Sequence, residues 1–295
     1  MDGLDFILGC FSFGLGACIA SFLNVVIWRV PRGESIVSPP SHCPKCNAPI
    51  KWYQNIPILA WLALRGKCAN CKEPISPRYI LIETIGGLLF LAAFWYNFAP
   101  YVPYLDQMIK EGVFLYPLVA NILVYWIWIS LMIVGSMIDY DLQLLPDFVT
   151  VGGMILGLVY NGAKSLYLHM TVLNERWFEL YVVWSLAGLV LGFGLLWLIR
   201  FVGGKVFKRE AMGLGDVFLM GAVGALFGPV AVLVTLILSS VFGSVVGIGM
   251  IMLSKARLGR LVAIPFGPYI CMGCLAWMFW GNEIVGWYLG LMRIQ

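Results

Sequence analysis

The chain has 295 residues, of which 61% are hydrophobic and 12% charged, and its mean hydropathy is +0.89. Length alone would accommodate two soluble domains, but this composition excludes an ordinary soluble chain and identifies a multi-span membrane protein. The net charge of +4 is small and no basic face with interleaved aromatics suggests nucleic acid, so what matters is where the 19 lysines and arginines sit.

Met1 to Asp5 carries Asp2 and Asp5 but no basic residue, and the apolar run behind it lacks a small-residue cleavage site. A removable signal peptide is therefore not expected, and the first run stays as a span. A helix needs about 20 consecutive apolar residues to cross a bilayer core. Such runs predict an all-α polytopic fold of about eight transmembrane helices, near Phe6–Trp28, Ile80–Ala99, Val113–Ile138, Phe148–Leu166, Phe178–Phe201, Ala211–Gly228, Val230–Leu253 and Val262–Gly281. The sixth is the least separated, because only Gly228-Pro229 divides it from the seventh. Small-residue spacings at Gly153/Gly157, Gly188/Gly192 and Gly243/Gly247 suit close helix packing.

Between the first two spans lies the only sizeable soluble segment, residues 29–79, with Arg29, Arg32, Lys45, Lys51, Arg65, Lys67, Lys72 and Arg78. The fifth connection adds Arg200, Lys205, Lys208 and Arg209, and the seventh adds Lys255, Arg257 and Arg260. These connections hold 15 of the 19 basic residues, and with an even number of spans they share one side. Short basic loops stay cytoplasmic, so both termini are expected outside. The connections at 100–112 and 167–177 are then exterior, and His169 in the second reads as a solvated or interfacial residue.

The soluble segment is short for a core of its own, and domains of that size commonly need a metal or disulfides. It carries Cys43-Pro44-Lys45-Cys46 and Cys68-Ala69-Asn70-Cys71, two CxxC turns separated by 21 residues. Each turn can present two thiolates to one ion, and four thiolates close a tetrahedral Zn(II) site with no position left for substrate. A cytoplasmic loop disfavours the alternative of disulfides, so the expected role is structural zinc. Cys10, Cys18, Cys271 and Cys274 lie in apolar runs and read as small hydrophobes.

Acids placed in apolar runs are expensive and point to function. The third run ends in Gly135–Asp147, GSMIDYDLQLLPD, where a helix can continue until Pro146. Asp139 and Asp141 then point to roughly opposite sides, so only one can face the bundle. Asp147 follows the proline and is placed to cap the next helix. In the sixth run Asp216 stands behind Gly213 and Gly215, either as an N-cap or as a working carboxylate. The eight-span topology puts Asp139 and Asp216 on one face of the membrane. Two desolvated carboxylates a few ångströms apart would share a proton, the charged one taking a proton from water and the protonated one bonding a scissile carbonyl. A proton-coupled transporter using Asp216 is the main rival, although the chain lacks the paired broken helices or repeated halves that transporters often show. A zinc-containing membrane scaffold is a third reading, and it leaves the buried acid idle.

GLGD at 213–216 and IDYDLQLLPD at 138–147 together resemble the paired signatures of the type IV prepilin peptidases, members of the GxGD intramembrane aspartyl proteases. The resemblance continues through SFLNVVIWRVP (21–31), SPPSHCPKC (38–46), NIPILAWLALRGKCANC (55–71) and ISPRYILIE (75–83). It implies that Asp139 and Asp216 are the catalytic acids, which chooses Asp139 over Asp141. It implies removal of a short basic leader from prepilins or type II secretion pseudopilins at the cytoplasmic side of a bacterial inner membrane. It also implies N-methylation of the new N-terminus with S-adenosylmethionine, an activity that rests on resemblance alone because the chain has no glycine-rich nucleotide loop. The organisation expected is a first helix at 1–28, a four-cysteine zinc-binding loop domain at 29–79 with the methyltransferase part, and a peptidase domain at 80–295. One departure is visible: the position after Gly-Asp-Val is often lysine in the family and is Phe218 here.

Overall fold

A computed structural model describes residues 3–110, 116–172, 175–208, 212–253 and 265–293, and is predominantly helical, with no strand among them beyond two isolated bridges. The helices are α1 (Gly3–Arg29), a short α2 (Leu59–Ala63), α3 (Arg78–Asn97), a short α4 (Leu105–Lys110), α5 (Tyr116–Leu142), α6 (Asp147–Val172), α7 (Glu175–Phe207), α8 (Leu214–Phe227), α9 (Pro229–Leu253) and α10 (Gly267–Arg293). Eight of them, all but α2 and α4, fall on the eight predicted runs. The basic connection holding Lys255, Arg257 and Arg260 lies outside the described residues, as do Arg209 and Val113.

Five helices, α1, α3, α5, α7 and α9, are long and apolar enough by composition to cross a membrane. At 26 and 27 residues, α6 and α10 have the length of a span but carry more polar residues, among them Asn161, Lys164 and Glu283. With 14 residues, α8 rises only about 21 Å, short of a hydrocarbon core of about 30 Å.

The chain divides into two compact units, Met1–Val134 and Gly135–Gln295, with the boundary inside α5. In the first unit α1 packs along α3. Trp126 stacks on Phe90 with ring centroids 5.3 Å apart and donates from Nε1 to the Phe90 carbonyl at 3.2 Å. Asn24 on α1 reaches the Tyr79 carbonyl at the start of α3.

In the second unit α8 is the central helix, packed against α6, α7, α9 and α10, and every residue from Leu219 to Leu226 is buried. A helix apolar all round can be satisfied only in such a position. Gly188 on α7 and Gly224 on α8 face each other so closely that a side chain on either would enter the other's carbonyl. Lipid offers no hydrophobic drive between helices, so this contact is held by close van der Waals packing. The premature end of α8 is also paired. Gly228 takes φ +85°, Pro229 opens α9, and the buried helix-end carbonyls of Ala225 and Leu226 accept from Asn161 Nδ2 at 3.0 and 3.1 Å. Ser185 Oγ donates to the same Ala225 carbonyl at 2.6 Å. Backbone groups at membrane depth have no water to turn to, and these side chains stand in for it.

Candidate active site and metal centre

The second unit brings Asp139 and Asp216 together. Asp139 lies in the last turn of α5 and is 5% exposed, whereas Asp141 beside it is exposed. The helix stops at Leu142, earlier than Pro146 alone would require, because Gln143 turns left-handed at φ +54° and donates its amide to the Asp139 carbonyl. The Asp139 carboxylate accepts the Gly267 amide on Oδ2 at 3.0 Å. Gly267 is the first residue of α10, so the acid sits on a helix N-terminus, where unpaired amides and the dipole favour negative charge.

Asp216, 7% exposed, occupies the third position of α8 and accepts from the backbone amide of Gly213, the N-cap residue. This is the acid half of a capping box. The N-cap is Gly213 and not Asp216, so the N-cap reading of this acid does not hold: it stands three residues inside the helix and is buried there. Arg200, about two turns before the end of α7, donates to the Met212 carbonyl just ahead of Gly213.

Three observations place the acids as neighbours. Gly267 holds Asp139 through its amide, and Asp216 directly follows Gly215. Leu145 also packs its side chain against Gly215 on one side and Gly267 on the other. Each carboxylate is therefore braced by one backbone amide from a different helix start. Asp147 is exposed and begins α6, placing its charge in the first turn. Phe218 meets Phe193 edge to face, with ring centroids 5.5 Å apart.

Gly267 was not singled out from the sequence, which ran the last span through it from Val262. A signal was present: Pro265 and Pro268 in PFGP disfavour a continuous helix. Cys271 faces Ser136 within the same buried cluster. Both Cys271 and Cys274 are buried, as expected of small hydrophobes.

The first unit holds the four loop cysteines, Cys43, Cys46, Cys68 and Cys71, in one cluster. Their sulfurs all lie within 4.8 Å of one another, with Cys43–Cys71 at 3.8 Å and Cys46–Cys68 at 4.0 Å. Zinc–sulfur bonds of about 2.3 Å at tetrahedral angles require sulfur separations of about 3.8 Å, so the donor set fits Zn(II). The two halves repeat each other. Cys43 donates its amide to Ala48 and accepts from Asn47, and Cys68 pairs likewise with Glu73 and Lys72. Asn47 and Lys72 take φ +54° and +61°, and His42–Pro49 and Lys67–Pro74 close the turns as isolated bridges. The pattern CxxCxxPI occurs at 43–50 and again at 68–75, a repeat the sequence reading passed over. Asn70 crosses from one half to donate to Cys46 Sγ at 3.6 Å. The backbone at Ala48 and then Asn70 hold the Cys46 thiol down to about 6, and the backbone at Cys71 and Asn70 likewise lower Cys68. Against the backbone at Glu73, which lowers it, burial and the neighbouring thiols push Cys71 up to about 12, so only part of the set is held ready as thiolate, the form that binds metal. The Lys45–Glu73 pair joins the halves at 3.6 Å but is solvent-screened and adds little.

Fold and site define a class: a multi-span helical membrane protein with a buried aspartate pair on helix N-termini and a four-cysteine loop fit for zinc. Residues 15–97 match the bacterial Peptidase A24 N-terminal domain, and residues 126–248 match the type IV leader peptidase family. A prepilin leader peptidase/N-methyltransferase of Legionella pneumophila is 35% identical over 96% of this chain and 94% of its own length. One from Myxococcus xanthus is 39% identical over 84% of this chain, which spans 64% of that relative. A type 4 prepilin-like proteins leader peptide-processing enzyme of Escherichia coli is 32% identical over 90% of this chain and 91% of its own length. No solved structure matches. The chain belongs to the type IV leader peptidase family.

Proposed function

We propose that this protein removes the short basic leader from type IV prepilins or type II secretion pseudopilins, with Asp139 and Asp216 as the catalytic acids, and N-methylates the new N-terminal residue. The observation that carries the peptidase reading is the burial of two acids, each braced by a backbone amide. No counter-ion pairs with either carboxylate among the described residues. Two buried acids gathered around the same Leu145 side chain can share one proton between them.

The charged carboxylate takes a proton from water as the water oxygen bonds to the scissile carbonyl carbon. The protonated partner hydrogen-bonds the carbonyl oxygen as it gains charge. Collapse of the tetrahedral species breaks the C–N bond, and the leaving nitrogen takes up the proton. Gly267 and Gly213 keep one oxygen of each acid occupied, which orients the other toward substrate.

The second activity uses S-adenosylmethionine, which supplies a methyl group on a positively charged sulfur. When bound it would supply that methyl to the new α-amino nitrogen, which would release a proton. Cys43, Cys46, Cys68 and Cys71 hold a structural zinc ion that fixes the loop. The basic connections orient the chain in a bacterial inner membrane with the aspartates toward the cytoplasm and both termini periplasmic. The leader's positive charge then stays in the cytoplasm while the apolar segment behind it enters the bundle. Incubation with a prepilin and mass measurement of the product tests the proposal, because leader loss and an added methyl are distinct mass changes. Substrate flux in vesicles without proteolysis would favour a transporter instead.

A further inference from the structure

The segments at 21–31, 38–46 and 55–71 have no part in the aspartate chemistry, yet in the first unit they meet around one open cavity of about 320 Å³. Ligand sites commonly start at about that volume. Helix α1 supplies Ser21, Phe22 and Arg29, the stretch before the first cysteine supplies Ser41, and the turn beyond the first knuckle supplies Asn55 and Pro57.

Arg29 is held but not neutralised. Its Nη1 donates to the Ser35 carbonyl at 2.9 Å and its Nη2 to the Pro39 carbonyl at 2.8 Å, while no acid pairs with it among the described residues. Carbonyl oxygens orient the guanidinium and leave its charge for an incoming anion. The turn that carries Asn55 and Pro57 is also fixed in advance. Ile58 takes φ +63° and ψ −56°, a strained conformation for a β-branched residue, and its amide donates to Oε2 of buried Glu83 at 2.7 Å. Glu83 thereby acts as a positioning residue for Asn55 and Pro57, without lining the cavity itself.

The lining offers a fixed cation, flat apolar surface on Phe22 and Pro57, and amide and hydroxyl groups on Asn55, Ser21 and Ser41. We propose that this cavity binds the methyl donor, S-adenosylmethionine. Its carboxylate meets Arg29, its purine lies on the apolar wall, and its base edge and hydroxyls meet the polar groups. The inference rests on the N-methyltransferase reading and gives that activity a place in the first unit.

Equilibrium binding of radiolabelled S-adenosylmethionine to the full chain in detergent, together with product mass, tests it. Wild type should bind saturably, and Arg29→Gln should weaken binding about tenfold, the scale of one charge-assisted bond. Arg29 also ties down the loop, so Val37→Asp provides a second arm at a rim position that is 83% exposed. Its added charge should repel the carboxylate and weaken binding about fivefold. In both variants the methylated fraction of leaderless product should fall, while zinc content and helicity stay at wild-type level. Wild-type binding and methylation by both variants would overturn the cavity assignment and leave the methyltransferase reading standing. Wild type that removes leaders but neither binds the donor nor methylates would overturn both. Loss of a copurified phospholipid in Arg29→Gln with donor binding intact would make this a lipid headgroup site and also overturn the proposal.

Discussion

The amide of Gly267 donates to Oδ2 of Asp139 at 3.0 Å, and a Cβ at Gly267 would stand 2.6 Å from that oxygen. The bond and the missing side chain are one requirement: the backbone can reach the carboxylate only where no side chain intervenes.

Gly267→Ala is therefore expected to displace the Asp139 carboxylate. A misplacement of about 1 Å costs roughly 10²-fold in rate. Leader removal should fall on that scale in kcat, with zinc content at the wild-type level. Unaltered turnover would mean that the amide does not position the acid.

Asn161 donates to the carbonyls of both Ala225 and Leu226 where α8 ends. Asn161→Ala leaves these groups with one fewer donor at a depth without water. The expected cost is about 1–2 kcal/mol, read as a lower midpoint of unfolding in detergent. Asn161→Asp removes the donor and should not rescue.

Eight runs could be placed from hydropathy, and the helices fall on them, because bilayer length and apolar composition leave a long helix little choice. Where the structure departs from the reading, the cause is local. The last turn of α5 closes at Gln143 through a left-handed residue that is not glycine, and α10 starts at Gly267 because prolines flank it. The cysteine cluster was legible because CxxC spacing states its own geometry. The meeting of Asp139 with Gly267 was not, since 128 residues separate them and no periodicity carries that contact. The role of Asn161 depends on where a neighbouring helix stops, and the brace from Glu83 to Ile58 depends on a turn that propensity would not propose.

Asn70 bonds to Cys46 Sγ from the other half of the cluster. Outer partners of metal ligands are commonly worth about 10- to 100-fold in affinity. Asn70→Ala should weaken zinc by about that factor in competition with a chromophoric chelator, while the other knuckle keeps its fold.

Cys43→Ser removes one of the four proposed zinc ligands. The loop should become sensitive to protease, and methylation should be lost before leader removal. Equal loss of both activities would count against separate sites for them.

The most direct test of the account is to replace Asp139 and Asp216 by asparagine one at a time and follow prepilin leader loss by mass. Each variant should insert and bind zinc as wild type does, yet lose about 10³-fold or more of its leader-removing activity, since an amide can neither take nor hold the shared proton. Substantial leader removal by either variant would contradict the two-aspartate mechanism.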